Sequence, residues 1–175
     1  PNPAVRIYAK PEGQNPGGAN SRVFLGQNWA TLNNTPLRRY KHFTHEGGIS
    51  TPLIAHWPAG IGKERHGKLE HQPGHLVDVM ATVVDVTGAK YPTEHKGRAI
   101  QPMEGISLRP ALAGEKLERA QPIFWEHEGN RAVRRGRWKA VMKLKGPWEL
   151  YDIEADRTEQ HDLIEEQPEL AKELI

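Results

Sequence analysis

The 175-residue sequence contains no cysteine, which excludes disulfide bonds, thiolate metal sites and a cysteine nucleophile within it. It also lacks long apolar runs: none approaches the roughly 20 residues that a transmembrane helix needs, so no membrane span is expected. The sequence has no initiator Met and no signal-peptide pattern at Pro1. We therefore expect a fragment whose true N-terminus, with any export signal, is missing.

Acidic residues are absent from residues 131–145, which carry seven basic ones, whereas residues 149–175 are strongly acidic. The arginines of the basic segment, together with a tryptophan, could form a nucleic-acid surface (Arg131, Arg134, Arg135, Arg137 and Trp138). Neighbouring blocks of opposite charge more often pair with each other, so we expect no nucleic-acid partner.

The first hundred residues predict part of an α/β domain. Residues 1–34 are rich in Gly, Pro, Asn and Gln and predict a long loop. The apolar run 52–57 lies between glycine-containing segments and predicts a short buried strand of a larger sheet. From His75 the apolar residues recur at helical spacing up to Gly88, which predicts an amphipathic helix packing on a sheet. Residues 89–101 are predicted to be a connector.

The remaining residues predict a smaller unit built on an antiparallel meander. Four strands are expected near residues 122–126, 132–134, 138–142 and 148–152, with a turn at Gly129-Asn130. Trp125, Trp138 and Trp148 fall on strands and are expected in the core rather than stacking on sugars. A final helix is predicted at residues 168–175, where Leu170 and Leu174 would dock on the sheet.

The segment with the most chemical potential is residues 37–52, LRRYKHFTHEGGISTP, which concentrates cationic, hydroxyl and glycine residues before the predicted strand. An ammonium group can meet a sulfate or phosphate oxygen, and paired glycines let backbone amides approach an anion closely. A basic loop is more often simply solvated. By pattern alone, the segment is a weak indication of an anion site.

The same segment, RYKHFTHEGGISTPLIAHWP, resembles the second signature stretch of type I sulfatases, the arylsulfatase family. Three further segments resemble that family in the same order: GHLVDVMAT at residues 74–82, EGISL at 104–108, and FWEHEGNRAVR with ELYDI from residues 124 to 153. In the family, the lysine five residues before the Glu of Glu-Gly-Gly contacts the sulfate group, and here that lysine is Lys41.

The resemblance implies an α/β fold: residues 1–100 would be the C-terminal part of an alkaline-phosphatase-like catalytic domain, and residues 101–175 a subdomain with the four-stranded sheet and the final helix. It also implies a formylglycine nucleophile, made in a Cys/Ser-x-Pro-x-Arg motif, and a calcium ion held by aspartates and an asparagine. None of these elements occurs in this sequence, so we expect them upstream and expect this fragment alone to be inactive. A periplasmic or secreted location is suggested by the resemblance only.

Other residues have competing interpretations. His45 and Glu46 could be metal ligands, but adjacent residues seldom point at one ion, and we expect Glu46 to brace the glycine turn; no metal site is expected in this fragment. His56, inside the apolar run, is expected to be a core histidine. His127 falls at a hairpin tip that in such enzymes can face the active-site mouth, so it is a candidate for contacting substrate beyond the sulfate. The competing interpretation is that the residues here only form the turn around Gly129-Asn130.

The leading hypothesis is therefore an enzyme that hydrolyses a small-molecule or glycan sulfate ester, with Lys41 contacting the sulfate. A non-catalytic module that binds sulfated glycans through the same loop is a second hypothesis. A phosphodiesterase or phosphonate hydrolase of the same superfamily is a third.

Overall fold

The computed structural model describes residues 26–175, which form two compact units. Unit 1 comprises residues 26–51 and 124–175, and unit 2 comprises residues 52–123. The predicted domain boundary between residues 100 and 101 concerns the domains of a larger protein, and it stays a prediction. Within the described residues, no helix has both the length and the apolar character needed to cross a membrane.

Both helices and strands are present, which confirms the predicted α/β class. The helices are α1 (Gly26–Asn33), α2 (Glu46–Ile49), α3 (Leu76–Thr87), α4 (Arg109–Ala113) and α5 (Pro168–Leu174), with a 3₁₀ turn at Lys63–Arg65. The strands are β1 (Glu94–His95), β2 (Arg98–Ala99), β3 (Ile123–His127), β4 (Asn130–Arg135), β5 (Trp138–Met142) and β6 (Trp148–Asp152). The prediction of a loop over residues 1–34 is wrong for residues 26–33, which form helix α1. Residues 1–25 lie outside the part of the chain that the structure describes.

The four-stranded antiparallel sheet is confirmed, with the strand order β3-β4-β5-β6 of a meander. Val133 pairs with Ala140, and Ala140 pairs with Leu150. The turn between β3 and β4 differs by one residue from the prediction. It consists of Glu128 and Gly129, both at positive φ (52° and 80°), as a two-residue hairpin turn requires, and Asn130 begins β4.

One face of this sheet is apolar. Because side chains alternate between the two faces of a strand, Val133, Ala140 and Leu150 point to the same side, where they pack against Ala171 and Leu174 of α5. Trp138, Trp148 and Leu170 pack on this cluster, which confirms their predicted places in the core. Trp125 packs on the other face against a second cluster of Ala132, Val141, Tyr151 and Ile153.

The second face of the sheet also carries charge. Lys139 on β5 is fully buried, and its register partner on β6 is Tyr151. The segment from Arg38 to α2 contacts this face through ion pairs to Lys139 and to Glu149. The sheet of unit 1 is thus covered on both faces, by α5 on one and by the loop that contains Lys41 on the other.

Unit 2 is organised by helix α3, which ends, as predicted, at Gly88 in the left-handed conformation (φ 67°). Asp78 is fully buried in its first turn and accepts hydrogen bonds from the amides of His75 (2.7 Å) and Ile106 (2.9 Å) and from the guanidinium of Arg119 (2.5 Å). One carboxylate therefore caps α3 and ties two other segments to it.

Two expectations for unit 2 are wrong. Residues 52–57 form no strand, since no described strand pairs with them; Leu53 and Ile54 are 68% and 91% exposed, and His56 is exposed rather than a core residue. Helix α3 does not pack on a sheet among the described residues, because its apolar side chains, such as Leu76 (83% exposed), face outward. The connector expected at residues 89–101 is mostly irregular and contains the short β1-β2 hairpin, which does not contradict that expectation.

Candidate functional site

Lys41 lies at the tip of a tight turn. The amide of Phe43 donates to the carbonyl of Tyr40 (3.1 Å), and the two rings meet edge to face at 5.2 Å. Arg39, just before this turn, and His42, within it, adopt positive φ values of 67° and 87°. Lys41 itself is exposed and has no ion-pair or hydrogen-bond partner among residues 26–175. The turn therefore presents a free ammonium group.

The paired glycines after this turn let it fold onto α2. A Cβ atom at Gly47 would overlap the carbonyl oxygens of Arg38 and Arg39, and one at Gly48 would overlap that of Phe43. The amide of Gly47 donates to the Arg38 carbonyl (2.8 Å). The glycines thus serve close packing of the loop backbone, and any larger side chain there would displace the turn that carries Lys41.

Helix α2 is anchored by buried charges. Glu46 accepts from the ammonium of Lys139 (2.9 Å) and from the guanidinium of Arg157 (2.9 Å). Glu159 also accepts from Lys139 (2.8 Å), and its second oxygen accepts from the Glu46 amide (3.0 Å). Burial raises the pKa of Glu46, but the charges of Lys139 and Arg157 outweigh it, and the pKa lies below its usual value. The expectation that the Glu46 carboxylate braces the glycine turn is wrong, because it is committed to these cations.

A second polar cluster holds the start of the loop. Glu149 on β6 accepts from Arg38 (2.6 Å) and Tyr151 (2.9 Å) and lies 3.1 Å from Nε2 of the fully buried His45. Burial raises the pKa of Glu149, but the bonds from His45, Tyr151 and Arg38 lower it to about 2. Burial and the adjacent Glu149 raise the pKa of Tyr151, so its hydroxyl stays protonated and donates. Both ends of the Lys41 turn are therefore fixed to the sheet.

His45 and Glu46, weighed as a metal pair from the sequence, face different partners. His45 lies against Glu149, whereas Glu46 binds Lys139 and Arg157. The two side chains therefore do not converge on one ion.

His127, the other predicted site residue, lies beside the Lys41 turn. Its ring stacks on that of His42, with centroids 5.5 Å apart, and Nδ1 of His42 is 3.0 Å from a carboxylate oxygen of Glu128. The buried amide of Asn130 donates to the carbonyls of both His42 (2.7 Å) and His127 (2.9 Å). The structure thus brings the Lys41 turn and the β3–β4 hairpin together, although His42 and Glu128 are 86 residues apart in the sequence.

An open groove of about 430 Å³ runs beside this contact. Its lining includes His42, Asn130 and, from the β5–β6 turn, Lys143 and Lys145. The groove holds the ammonium groups of Lys143 and Lys145 and the carboxylate of Glu128. Two ammonium groups against one carboxylate favour a ligand that carries negative charge.

The sequence analysis missed the residues that hold the site, above all Lys139, Glu159, Arg38 and Glu149. Lys139 had a recognisable signal: it lies in the middle of the strand WKAVM, where a lysine that faces the sheet must find a buried acidic partner. The partner could not be found from the sequence, because Glu46 is 93 residues away.

Comparison with known proteins identifies the family. An uncharacterized sulfatase of Schizosaccharomyces pombe is 29% identical over 173 residues, which are 93% of this chain and 30% of that protein. The N-acetylgalactosamine-6-sulfatase of Mus musculus is 34% identical over 67% of this chain and 21% of its own length. The crystal structure of Ps i-CgsB matches with a TM-score of 0.66 at 28% identity, over 80% of this chain and 30% of that one.

This chain thus spans about a fifth to a third of the length of these relatives. Residues 39–174 match the family described as N-sulphoglucosamine sulphohydrolase, C-terminal. That range includes the Lys41 turn, α2, the whole of unit 2, the meander and α5. The chain therefore belongs to this C-terminal family of the sulfatases.

Proposed function

We propose that this chain supplies Lys41 as the cation that contacts the sulfate group in a sulfatase that hydrolyses sulfate monoesters. The observation that carries the proposal is the contrast between Lys41, which has no partner within residues 26–175, and the buried charges that fix its loop. In sulfate ester hydrolysis the leaving oxygen gains negative charge in the transition state. A fixed cation at that position stabilises it, typically by several kcal/mol in a preorganised site.

The support for preorganisation is the double attachment of the loop. Arg38 and His45 reach Glu149, and Glu46 reaches Lys139, so the backbone on both sides of Lys41 is tied to neighbouring strands. Such a loop does not have to be ordered when the substrate binds. The side chain of Lys41 alone loses freedom, which is a smaller entropic cost than ordering a loop.

The substrate we propose is a sulfated glycan. His127 would contact the sugar that bears the sulfate, and the groove beside it, with Lys143 and Lys145, would accept further acidic or polar groups. The structure of Ps i-CgsB has also been solved in complex with k-i-k-neocarrahexaose, at the same 28% identity to this chain. That complex supports an oligosaccharide as the ligand class.

The remaining catalytic groups belong to other parts of the protein in this proposal. The sequence contains no Cys/Ser-x-Pro-x-Arg motif from which formylglycine could form. The buried carboxylates of Glu46, Asp78 and Glu159 are committed to cations and backbone amides, so they are not offered to a calcium ion. Calcium prefers six to eight oxygen ligands, and in this proposal they are supplied by other parts of the protein. We therefore expect the fragment to be inactive alone.

The test uses the complete protein and an aryl sulfate. Lys41→Ala should lower kcat/KM at least about tenfold with unchanged thermal stability, because Lys41 makes no stabilising contact among the described residues. Lys172→Ala is the matched control, since Lys172 is an exposed lysine of α5, on the opposite face of the sheet, and should leave kcat/KM unchanged.

Aryl phosphate esters distinguish the related activities. If aryl phosphates are hydrolysed faster than aryl sulfates, the chain belongs to a phosphodiesterase or phosphonate hydrolase instead. A complete protein that binds sulfated oligosaccharides but hydrolyses neither ester would be a non-catalytic glycan-binding protein.

A further inference from the structure

Three possible metal ligands converge at the tip of the β3–β4 hairpin. One nitrogen of His42, one nitrogen of His127 and one carboxylate oxygen of Glu128 all lie within 4.8 Å of one another. No other three His, Asp or Glu side chains come this close in the part of the chain that the structure describes. The group is exposed and is reachable by an ion from solvent.

The backbone that carries these ligands is already ordered. Asn130 is 7% exposed. Its side-chain nitrogen Nδ2 donates to the backbone carbonyls of His42 and His127, and its side-chain oxygen Oδ1 accepts from the amide of Leu144 (3.2 Å). A single buried side chain therefore holds the Lys41 turn and the hairpin together. An arriving ion would have to orient only three side chains, so little of its binding free energy would be lost in ordering the chain.

The donor set selects a class of ion. Two imidazoles with one carboxylate suit Zn²⁺ and similar late first-row transition ions, whereas Ca²⁺ and Mg²⁺ prefer oxygen ligands throughout. Zinc binds nitrogen and oxygen at roughly 2.0–2.2 Å, so tetrahedral ligand atoms lie roughly 3.3 Å apart. The three ligand atoms now lie within 4.8 Å of one another, and their side chains are exposed, so rotation of those side chains is the movement that an ion would require. Three protein ligands leave one coordination position open.

We propose that His42, His127 and Glu128 form a binding site for Zn²⁺ or a similar transition-metal ion. A consequence, which rests on the function proposed above, is that the ion and the substrate compete. His127 cannot offer the same ring nitrogen to a metal and to a sugar, and the ion would sit beside the turn that presents Lys41. Because such coupling is reciprocal, substrate should weaken zinc binding as much as zinc weakens substrate binding.

Zinc titration of the complete protein by calorimetry tests the site, with Ca²⁺ present in excess to fill oxygen-rich sites. We expect His42→Ala to weaken the binding of one zinc ion at least about tenfold and Glu128→Gln to weaken it less. The matched control is His161→Ala, an exposed histidine of unit 1 paired with a single aspartate, which should leave the affinity unchanged. Equal zinc affinity in the wild type and in both site variants would overturn the proposal.

The absorption spectrum of bound Co²⁺ distinguishes the loss of a metal ligand from misfolding of the variant. Co²⁺ bound to two imidazoles and a carboxylate should give a visible absorption band in the wild type and in His161→Ala. The band should be lost in His42→Ala even though its circular dichroism is native. A band that persists in His42→Ala would place the ion elsewhere and overturn the assignment.

Aryl sulfate hydrolysis tests the competition separately. Zinc should inhibit the wild type at a concentration at least about tenfold lower than it inhibits His42→Ala, each relative to its own zinc-free rate. Zinc bound at the site without inhibition would overturn the competition but not the site. A protein that binds zinc at these residues yet hydrolyses no sulfate ester would overturn the proposed function and leave the site standing.

Discussion

The two units of the chain are stabilised in different ways. Unit 1 has buried apolar clusters on both faces of its sheet, centred on Leu150 and on Val141, which are fully buried. In the helices of unit 2 the buried apolar residues are two alanines, Ala81 and Ala111, and the buried Asp78 makes the connections instead. Unit 1 therefore contains its own core, whereas unit 2 is held mainly by one polar hub.

Large apolar side chains of unit 2 are exposed to solvent rather than buried. Leu53, Ile54 and Leu76 are 68%, 91% and 83% exposed. These side chains therefore contribute little to a core of unit 2. The candidate site lies in unit 1, where buried ion pairs fix the loop that carries Lys41 to the sheet.

The largest effect is expected from Lys139→Met in the complete protein. The change leaves Glu159 buried without its cation and removes one of the two cations of Glu46. Removal of one partner from a buried ion pair typically costs about 3–5 kcal/mol. Native-state hydrogen exchange should therefore show that β4 and β5 lose protection of this size, while the amides of α3 in unit 2 keep theirs.

Lys172→Ala is again the control, because an exposed ion pair contributes no more than about 1 kcal/mol. Equal loss of protection in α3 would show that the two units unfold together, and the comparison between them would be wrong.

A smaller effect, confined to unit 2, is expected from Asp78→Ala. The amides of His75 and Ile106 and the guanidinium of Arg119 would lose their acceptor. Arg119 is partly exposed and can turn to water, so we expect a cost of about 2–3 kcal/mol, less than that of stranding a buried charge. Hydrogen exchange of α3 should accelerate while the meander keeps its protection.

Asp85→Ala is the matched control on the same helix. Asp85 is exposed, and its partners are Ser107 and Arg109 at the surface, so its loss should cost within about 0.5 kcal/mol. If the two aspartates behaved alike, Asp78 would not be the hub of unit 2.

The smallest effect concerns pH and belongs to unit 1. The pKa of Glu149 is lowered to about 2 in the folded protein, so its ionised form stabilises folding above its ordinary pKa near 4.5. This stabilisation should be lost as the pH falls from about 4.5 towards 2. Since Glu149 is partly solvated, we expect less than about 2 kcal/mol.

Comparison with Glu149→Gln isolates this contribution. The wild type should be the more stable protein at neutral pH, and the difference in the free energy of unfolding should shrink as the pH is lowered from 5 to 2. A difference that is constant over this range would contradict the assignment of the shifted carboxylate.

Local patterns predicted the elements whose signals are local. Helix α3 was predicted from spacing and from Gly88, and β5 and β6 from alternation between turns, because each element's own residues carry the pattern. The prediction of a strand at residues 52–57 is wrong because it also relied on a local pattern. A buried strand exists only where a neighbouring strand pairs with it, and the described residues offer no such strand. The apolar pattern therefore indicated that these residues avoid water but not which element they pack against.

The candidate site could likewise be predicted from the sequence only in part. The resemblance to sulfatases drew attention to Lys41 and His127, and the structure places their loops side by side. The pairing of Glu46 with Lys139, by contrast, joins residues 93 positions apart, and no local pattern encodes it. Long-range ion pairs of this kind require the fold before they can be seen.

The most direct test of the account is kcat/KM for an aryl sulfate in the complete protein with Lys41→Ala, measured beside Lys172→Ala. We predict a loss of at least about tenfold for the first variant and none for the second, with the same melting temperature for both. Unchanged kinetics in Lys41→Ala would contradict the claim that Lys41 contacts the sulfate.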